Sequence, residues 1–390
     1  MTGHTYSDEE LNDLRTQTDP LGDQVVMDHF ALLEDKNPRQ FLRSLINSDG
    51  QGGSEPVQAY LRRPFDMPEW LDPALISAGQ ECFARWGSHV FTALYAAALP
   101  TAYACERGVQ VLGRTAQLVT NTKRRLNETA QFHLDVMEPL GLSDGGRGLS
   151  DIRHVRLMHA AVRWLIAHDP EAKWDPQWGR PINQEDMLET LLTFTEVVFE
   201  VFDRTGVVYS EDDAESYLHV WSYVGFLLGV HPDQLPMNRS DTKTLMAAVR
   251  RRQFGASSSG VLLMDALLEE GRKLTPPGLR GLPASTVRYF VGDATADYLS
   301  VPPSDWTKVF FGPLNRLTRA LSAEKAHRVL LRNLSDRVGM GMLQLAVSAE
   351  RSGNRPAFAI PTQLADRWGV STTGAPLGRA RRRARRAASR

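Results

Sequence analysis

Only two cysteines, Cys82 and Cys105, occur in 390 residues. That is too few for a disulfide framework or a CxxC zinc cluster, and neither lies in a CxxCH site for covalent haem attachment. So few thiols suit a reducing compartment, and a cytoplasmic location is expected. The first twenty residues are polar and acidic, without the basic start and apolar run of a secretory leader, so export is not expected. The longest apolar stretch, Val90 to Cys105, falls short of the roughly eighteen residues a membrane span needs and contains Pro100. No transmembrane helix is expected. Nucleotide and hydrolase signatures are also missing: the chain has no GxGxxG after a strand, Walker A loop, HExxH pair or GxSxG elbow. A helical di-iron centre needs two Glu-x-x-His pairs, and Glu324 with His327 supplies one.

Hydrophobic residues make up 42% and charged residues 23%, the balance of a chain able to fold around a large core. Apolar residues recur at three- and four-residue spacing, and alternating strand-like runs are nearly absent. The fold class expected is all-α, with about ten helices, over roughly 24–47, 72–99, 106–138, 149–168, 184–204, 211–229, 239–253, 258–272, 284–299, 304–321 and 323–351. Ser210 before Glu211, Asp212 and Asp213 reads as an N-cap with an acidic first turn. Residues 143–148 read as a tight connection between two helices.

A formal net charge of -1 conceals an asymmetry. Arg379 to Arg390 carries seven arginines and no acid, leaving 38 bases against 46 acids in residues 1–378. The expected organisation is a loosely held arm (1–23), one helical catalytic domain (24–366) and a disordered Arg-rich tail (367–390). The tail has the charge to meet nucleic acid or an anionic membrane surface, but it has no interleaved aromatic residues and reads first as a solvated terminus.

Candidate chemistry lies in four segments. In 151–164, Arg156, His159 and Arg163 fall within an arc of roughly 60° on a helical wheel. Val155, Val162 and Ile166 surround His159. A neutral imidazole on an apolar wall can ligate haem iron, and flanking guanidinium groups can hold the propionates. On spacing alone the commoner reading is a core histidine between two structural ion pairs, because lone histidines in helices are common. In 122–132, Arg125 and Thr129 share a helical face with Glu128 about 60° round, which suits a polar site opposite a cofactor or a solvated helix. In 217–229, Gly225 and Gly229 allow close approach of a helix or a flat ring. In 285–299, Arg288 lies within an apolar pattern and needs an anionic partner.

Taken together, the stretches RRLNETAQF, VRLMHAAVR, YLHVWSYVGFLLGV and STVRYFVGDATADYL resemble, over about residues 60–300, the haem-dependent oxygenases that include bacterial latex-clearing proteins (rubber oxygenases) and the fungal mycophenolic-acid-pathway oxygenase. The resemblance implies a globin-like helical domain around a non-covalent haem b, with dioxygen as co-substrate. It further implies His159 as proximal iron ligand, Arg156, Arg163 and Arg288 near the haem, and Arg125 with Thr129 on the distal side. Latex-clearing proteins have a lysine beside the distal threonine, where this chain has Glu128, so a lysine-capped resting state is not implied. The family's catalytic glutamate does not align cleanly, leaving Glu106 and Glu128 as candidates.

The reading that follows is an oxygenase, an oxidoreductase acting on an apolar, unsaturated or isoprenoid-like substrate, with an electron donor the sequence does not name. Two rival readings are a non-catalytic haem sensor or carrier and a haem-free helical interaction protein.

Overall fold

The computed structural model describes residues 6–32, 54–64, 67–114, 122–168, 173–275 and 277–303, with the side chains of 122–125 and 274 outside the description. The expected helices over 304–351, the Glu324–His327 pair and the basic tail lie outside these residues.

The described chain is α-helical, and among the described residues the β structure is one isolated bridge between Cys105 and Phe254. The helices are α1 (Asp8–Leu14), α2 (Pro20–Ala31), α3 (Glu55–Arg62), α4 (Pro73–Ala93), α5 (Leu99–Ala104), α6 (Val109–Arg114), α7 (Thr122–Met137) and α8 (Arg147–His168). They continue with α9 (Gln184–Phe194), α10 (Glu196–Thr205), α11 (Glu211–Leu227), α12 (Arg239–Gln253), α13 (Ser258–Leu274), α14 (Leu282–Val291) and α15 (Asp293–Tyr298).

At the centre, α4 runs through a π-helical turn, Leu94–Ala98, directly into α5. The helix expected here ends at residue 99, just before Pro100, whose ring removes an N–H. Instead the Leu99 N–H bonds five residues back to the Leu94 carbonyl, and the widened turn lets the helix continue past the proline. The partner along α4 is α11. Their axes approach closely at Gly79, where any Cβ would collide with the Ser216 backbone. Trp221, Tyr217 and Phe83 are fully buried in this layer, each worth about 1.5–3 kcal/mol.

Ser210 caps α11 as expected and forms a reciprocal capping box with Asp213. The stretch read as one helix over 184–204 is two, divided at Thr195 (φ -116°, ψ -88°). That over 284–299 divides at Gly292 (φ +83°). Apolar periodicity does not register one-residue breaks, because the buried face resumes in phase.

The N-terminal arm also differs from expectation over residues 6–23. Ser7 caps α1, Leu11 and Leu14 are buried in the main core, and Arg15 pairs with Glu185 and Asp186 of α9, both at 3.0 Å. Its polar residues are used in buried ion pairs, which composition alone reads as solvent exposure.

Candidate active site

A glycine-rich turn joins α7 to α8, and Arg147 fastens it by a two-point contact with Glu138 at 2.9 and 2.7 Å. The two helices pack together as a hairpin. Leu157, Ala160 and Ala161 of α8 pack with Val25, Val26 and Phe30 of α2 and with Val57 and Tyr60 of α3. Leu149 and Ile152 enter the main core, and Val162 and Ile166 meet Val111 of α6. His159 precedes Val162 and Ile166 by three and seven residues on the same helix. It is half-buried, as is Val155 one turn before it.

The polar edge of α8 faces the N-terminal segment. Arg156 donates from Nε and Nη2 to both oxygens of Asp19, at 2.7 and 2.6 Å, and from Nη1 to the Leu227 carbonyl at 3.1 Å. Arg163 donates to Asp23 at 2.6 Å and to the Ile182 carbonyl at 3.3 Å, and its Nη2 is 3.9 Å from Asp19. The Asp19 carboxylate is 1% exposed. Its space depends on Gly229, whose φ of +96° and missing Cβ admit the carboxyl group. Gly229 therefore lies just past α11 and serves this ion pair, while Gly225, on the helix, meets Leu191 and Leu235.

On α7, Glu128 and Thr129 are half-buried and the side chain of Arg125 lies outside the described residues. One turn on, His133 is fully enclosed. Phe83, Phe91, Phe194 and Trp221 surround its ring at centroid distances of 4.8–6.0 Å, and Nε2 is 3.1 Å from the Tyr217 hydroxyl. Burial pushes its pKa down to about 3, so the imidazole is neutral.

Glu106 and Arg288 belong to other elements. The Glu106 N–H donates to the Gln253 carbonyl at 2.8 Å, and its side chain lies against Gly255, in the loop between α12 and α13. Arg288 donates to Asp293 at 3.0 Å, Asp297 at 2.8 Å and the Val301 carbonyl at 2.6 Å. Its helix, α14, packs on the π turn, α5, α13 and α15, whereas α8 packs on α2, α3, α7 and α11. The resemblance implied Arg288 near the haem with the α8 arginines, and read by itself Arg288 needed an anionic partner; Asp293 and Asp297 are that partner, just across the Gly292 break.

Sequence reasoning missed a buried acidic group on α9. Glu185, Asp186 and Glu189 fall at i, i+1 and i+4; Arg15 pairs with Glu185 and Asp186, Arg252 and Gln253 hold Glu185, and Glu189 is buried beside Cys105. Burial, offset by Arg15, raises Asp186 to about 6, and burial with Asp186 raises Glu189 well above the usual carboxylate range. Three carboxylates within two turns were the available signal.

A haem brings four nitrogen ligands of its own and asks the protein for an axial one, so a single suitable imidazole is the first requirement. His159 fits: it is half-buried on the helix that carries Val162 and Ile166, within a hairpin whose other helix carries Glu128 and Thr129. The three arginines do not fit as propionate clamps in this arrangement, because carboxylates of the chain itself already hold them. Among the described residues no group of three or more His, Cys, Asp or Glu side chains could hold a metal ion. None of their helices is long and apolar enough to cross a membrane.

The family model described as ER-bound oxygenase mpaB/B'/Rubber oxygenase, catalytic domain, matches residues 81–389. A rubber oxygenase from Streptomyces sp. (strain K30) is 26% identical over 251 residues, covering 63% of this chain and 60% of that protein. The alignment thus spans less than two thirds of that relative. The structure of latex clearing protein LCP in the closed state matches with a TM-score of 0.67 at 20% identity, covering 90% of this chain and 95% of the other. At that identity the likeness is one of fold.

Proposed function

The chain belongs to the family of MpaB-like and rubber oxygenase catalytic domains, and from that premise we propose that it is a cytoplasmic, haem b-dependent oxygenase acting on an apolar, isoprenoid-like substrate. His159 is the axial ligand in this reading, and its half-buried place on α8 is the observation that carries it. Haem attachment is non-covalent, since both cysteines are buried and lie outside any attachment motif. The cofactor supplies the activation of dioxygen.

Val162 and Ile166, three and seven residues after His159 on α8, pack on Val111 and would shield one flank of a bound cofactor from water. In this reading Glu128 and Thr129, half-buried on α7, hold a proton and offer a hydroxyl; Arg125 stands one turn before Thr129. Cleavage of one carbon–carbon double bond by one dioxygen gives two carbonyl groups, each taking one oxygen atom. No external electron pair is consumed in that balance, so an electron donor serves at most to set the starting oxidation state of the cofactor.

The test is oxygen uptake by purified, haem-supplied protein given squalene as an unsaturated probe. Uptake matched by new carbonyl products is expected. Glu128→Gln should slow turnover by about 10² or more while Glu106→Gln retains it, if Glu128 is the base that removes an allylic proton. A protein that holds haem fully yet neither consumes oxygen nor yields carbonyl products would instead be a haem carrier or sensor. One that takes up no haem would favour the interaction-protein reading.

A further inference from the structure

Tyr217 and Tyr209 each hydrogen-bond to a base. Tyr217, on α11, is fully buried, and its hydroxyl is 3.1 Å from His133 Nε2. Tyr209, half-buried just before α11, donates to the exposed carboxylate of Asp203 at 2.6 Å. Tyr95 shows the ordinary alternative: its hydroxyl donates to the Leu267 carbonyl at 3.1 Å, an oxygen too weakly basic to take the proton. A phenol bonded to a base can lose an electron and a proton together, to separate acceptors. That route avoids both a buried phenolate and a buried radical cation.

Burial pushes His133 down to about 3, so its imidazole is neutral, and burial pushes Tyr217 up, so the phenol keeps its proton until it is oxidised. With Nε2 accepting, the ring proton sits on Nδ1, which has no hydrogen-bond partner. Phe199 stands between the two phenols, its ring centroid 5.5 Å from Tyr217 and 4.9 Å from Tyr209. Arg239, 3.5 Å from the other oxygen of Asp203, lies over the Phe199 and Tyr209 rings at 5.2 and 5.3 Å and fixes that end of the row. Its positive charge disfavours a radical cation beneath it, and loss of the Tyr209 proton to Asp203 keeps the oxidised ring neutral. The inner end is placed by α7. His133 follows Thr129 by four residues on one helical face, an axial rise of about 6 Å.

We propose that Tyr217 and Tyr209 form a two-station relay that drains oxidising equivalents from the cofactor site to the protein surface, giving the protein a protective peroxidase activity. The inference rests on the oxygenase reading for its inner oxidant, a peroxide reduced at the haem. On each pass Tyr217 gives an electron to the oxidised cofactor site and its phenolic proton to His133 Nε2. Tyr209 then gives an electron to Tyr217, which recovers its proton from His133, and the Tyr209 proton moves to Asp203. A surface reductant of the ascorbate class returns an electron to Tyr209, which recovers its proton from Asp203. Two passes reduce one hydrogen peroxide, with two protons from solvent, to two waters. They oxidise one ascorbate monoanion by two electrons, with release of one proton.

Freeze-quenched electron paramagnetic resonance of the full-length, haem-loaded protein given hydrogen peroxide tests the relay. A tyrosyl radical is expected, and Tyr217→Phe, which removes one oxygen atom, should lose most of it. Tyr209→Phe should keep that radical and slow its reduction by ascorbate several-fold, because the outlet is gone. A purely structural role would change the melting temperature of these variants and leave yield and decay alone. Unchanged radical yield in folded Tyr217→Phe overturns the inner station, and unchanged decay in folded Tyr209→Phe overturns the outer one; either result ends the proposal. A protein that takes up no haem removes the oxygenase reading instead. Photo-oxidation of the haem-free chain by tris(bipyridine)ruthenium with persulfate, a one-electron oxidant, then decides the relay through the same two variants.

Discussion

The two sides of α8 are built on different terms. Toward α2 the helix buries Leu157, Ala160 and Ala161, stacks Trp164 on Phe30 at 4.0 Å, and delivers Arg156 and Arg163 to Asp19 and Asp23. On the side of His159, side chains such as Val155 and His159 itself stay half-covered. The guanidinium groups of Arg156 and Arg163 meet carboxylates of the same chain, whereas the His159 imidazole is half-buried, and the proposed function puts the iron ligand on that second side. His133, one helix away, sharpens the contrast, because aromatic rings enclose it fully.

Breaking the clamped side should produce the largest loss of stability. Arg156→Ala leaves the Asp19 carboxylate buried without its main partner, a change that typically costs about 3–5 kcal/mol. Denaturant unfolding should show it, with haem content per folded chain unchanged. A stability change under about 1 kcal/mol, or selective loss of haem, would return Arg156 to the propionate role.

His133→Ala should come next. Removing a fully buried ring and its bond to Tyr217 should cost about 2–4 kcal/mol through the cavity left behind. The visible spectrum of a haem-loaded sample should not move. A spectral change in the folded variant would erase the distinction between the two histidines.

A smaller, pH-dependent effect is expected at the hairpin that joins the two helices. Burial first, then the charge of Asp151, raises Asp135 to about 8, against about 3.9 for a free aspartate. Between roughly pH 4 and 8 the folded chain keeps a proton in this pair that the unfolded chain has released, so stability falls as pH rises through that window. Asp135→Asn should flatten that fall by on the order of 1–2 kcal/mol between pH 5 and 8. Parallel pH profiles for variant and wild type would show that the pair shares no proton.

Local features were legible in the sequence because their causes are local. The span expected for α12 coincides with the observed one, and the Ser210 cap is present. The helix expected over 149–168 that carries His159 is present as α8, Arg147–His168. The partners of the arginines were not legible. Arg156 and Asp19 are 137 residues apart, and Arg163 and Asp23 are 140 apart, so nothing in the local pattern links them. The arm that supplies both carboxylates was read as loose for the same reason. The carboxylate partners of Arg288, Asp293 and Asp297, do lie close in sequence, on the helix that follows it.

The most direct test of the account is the absorption spectrum of His159→Ala, prepared with haem beside wild type and His133→Ala. Helical circular dichroism should be close to wild type, since a half-buried side chain contributes little to packing, while the Soret band and haem content should be mostly lost. His133→Ala should keep both. Full haem content and an unshifted Soret band in folded His159→Ala would contradict the assignment of His159 as the iron ligand, and with it the distinction drawn between the two sides of α8.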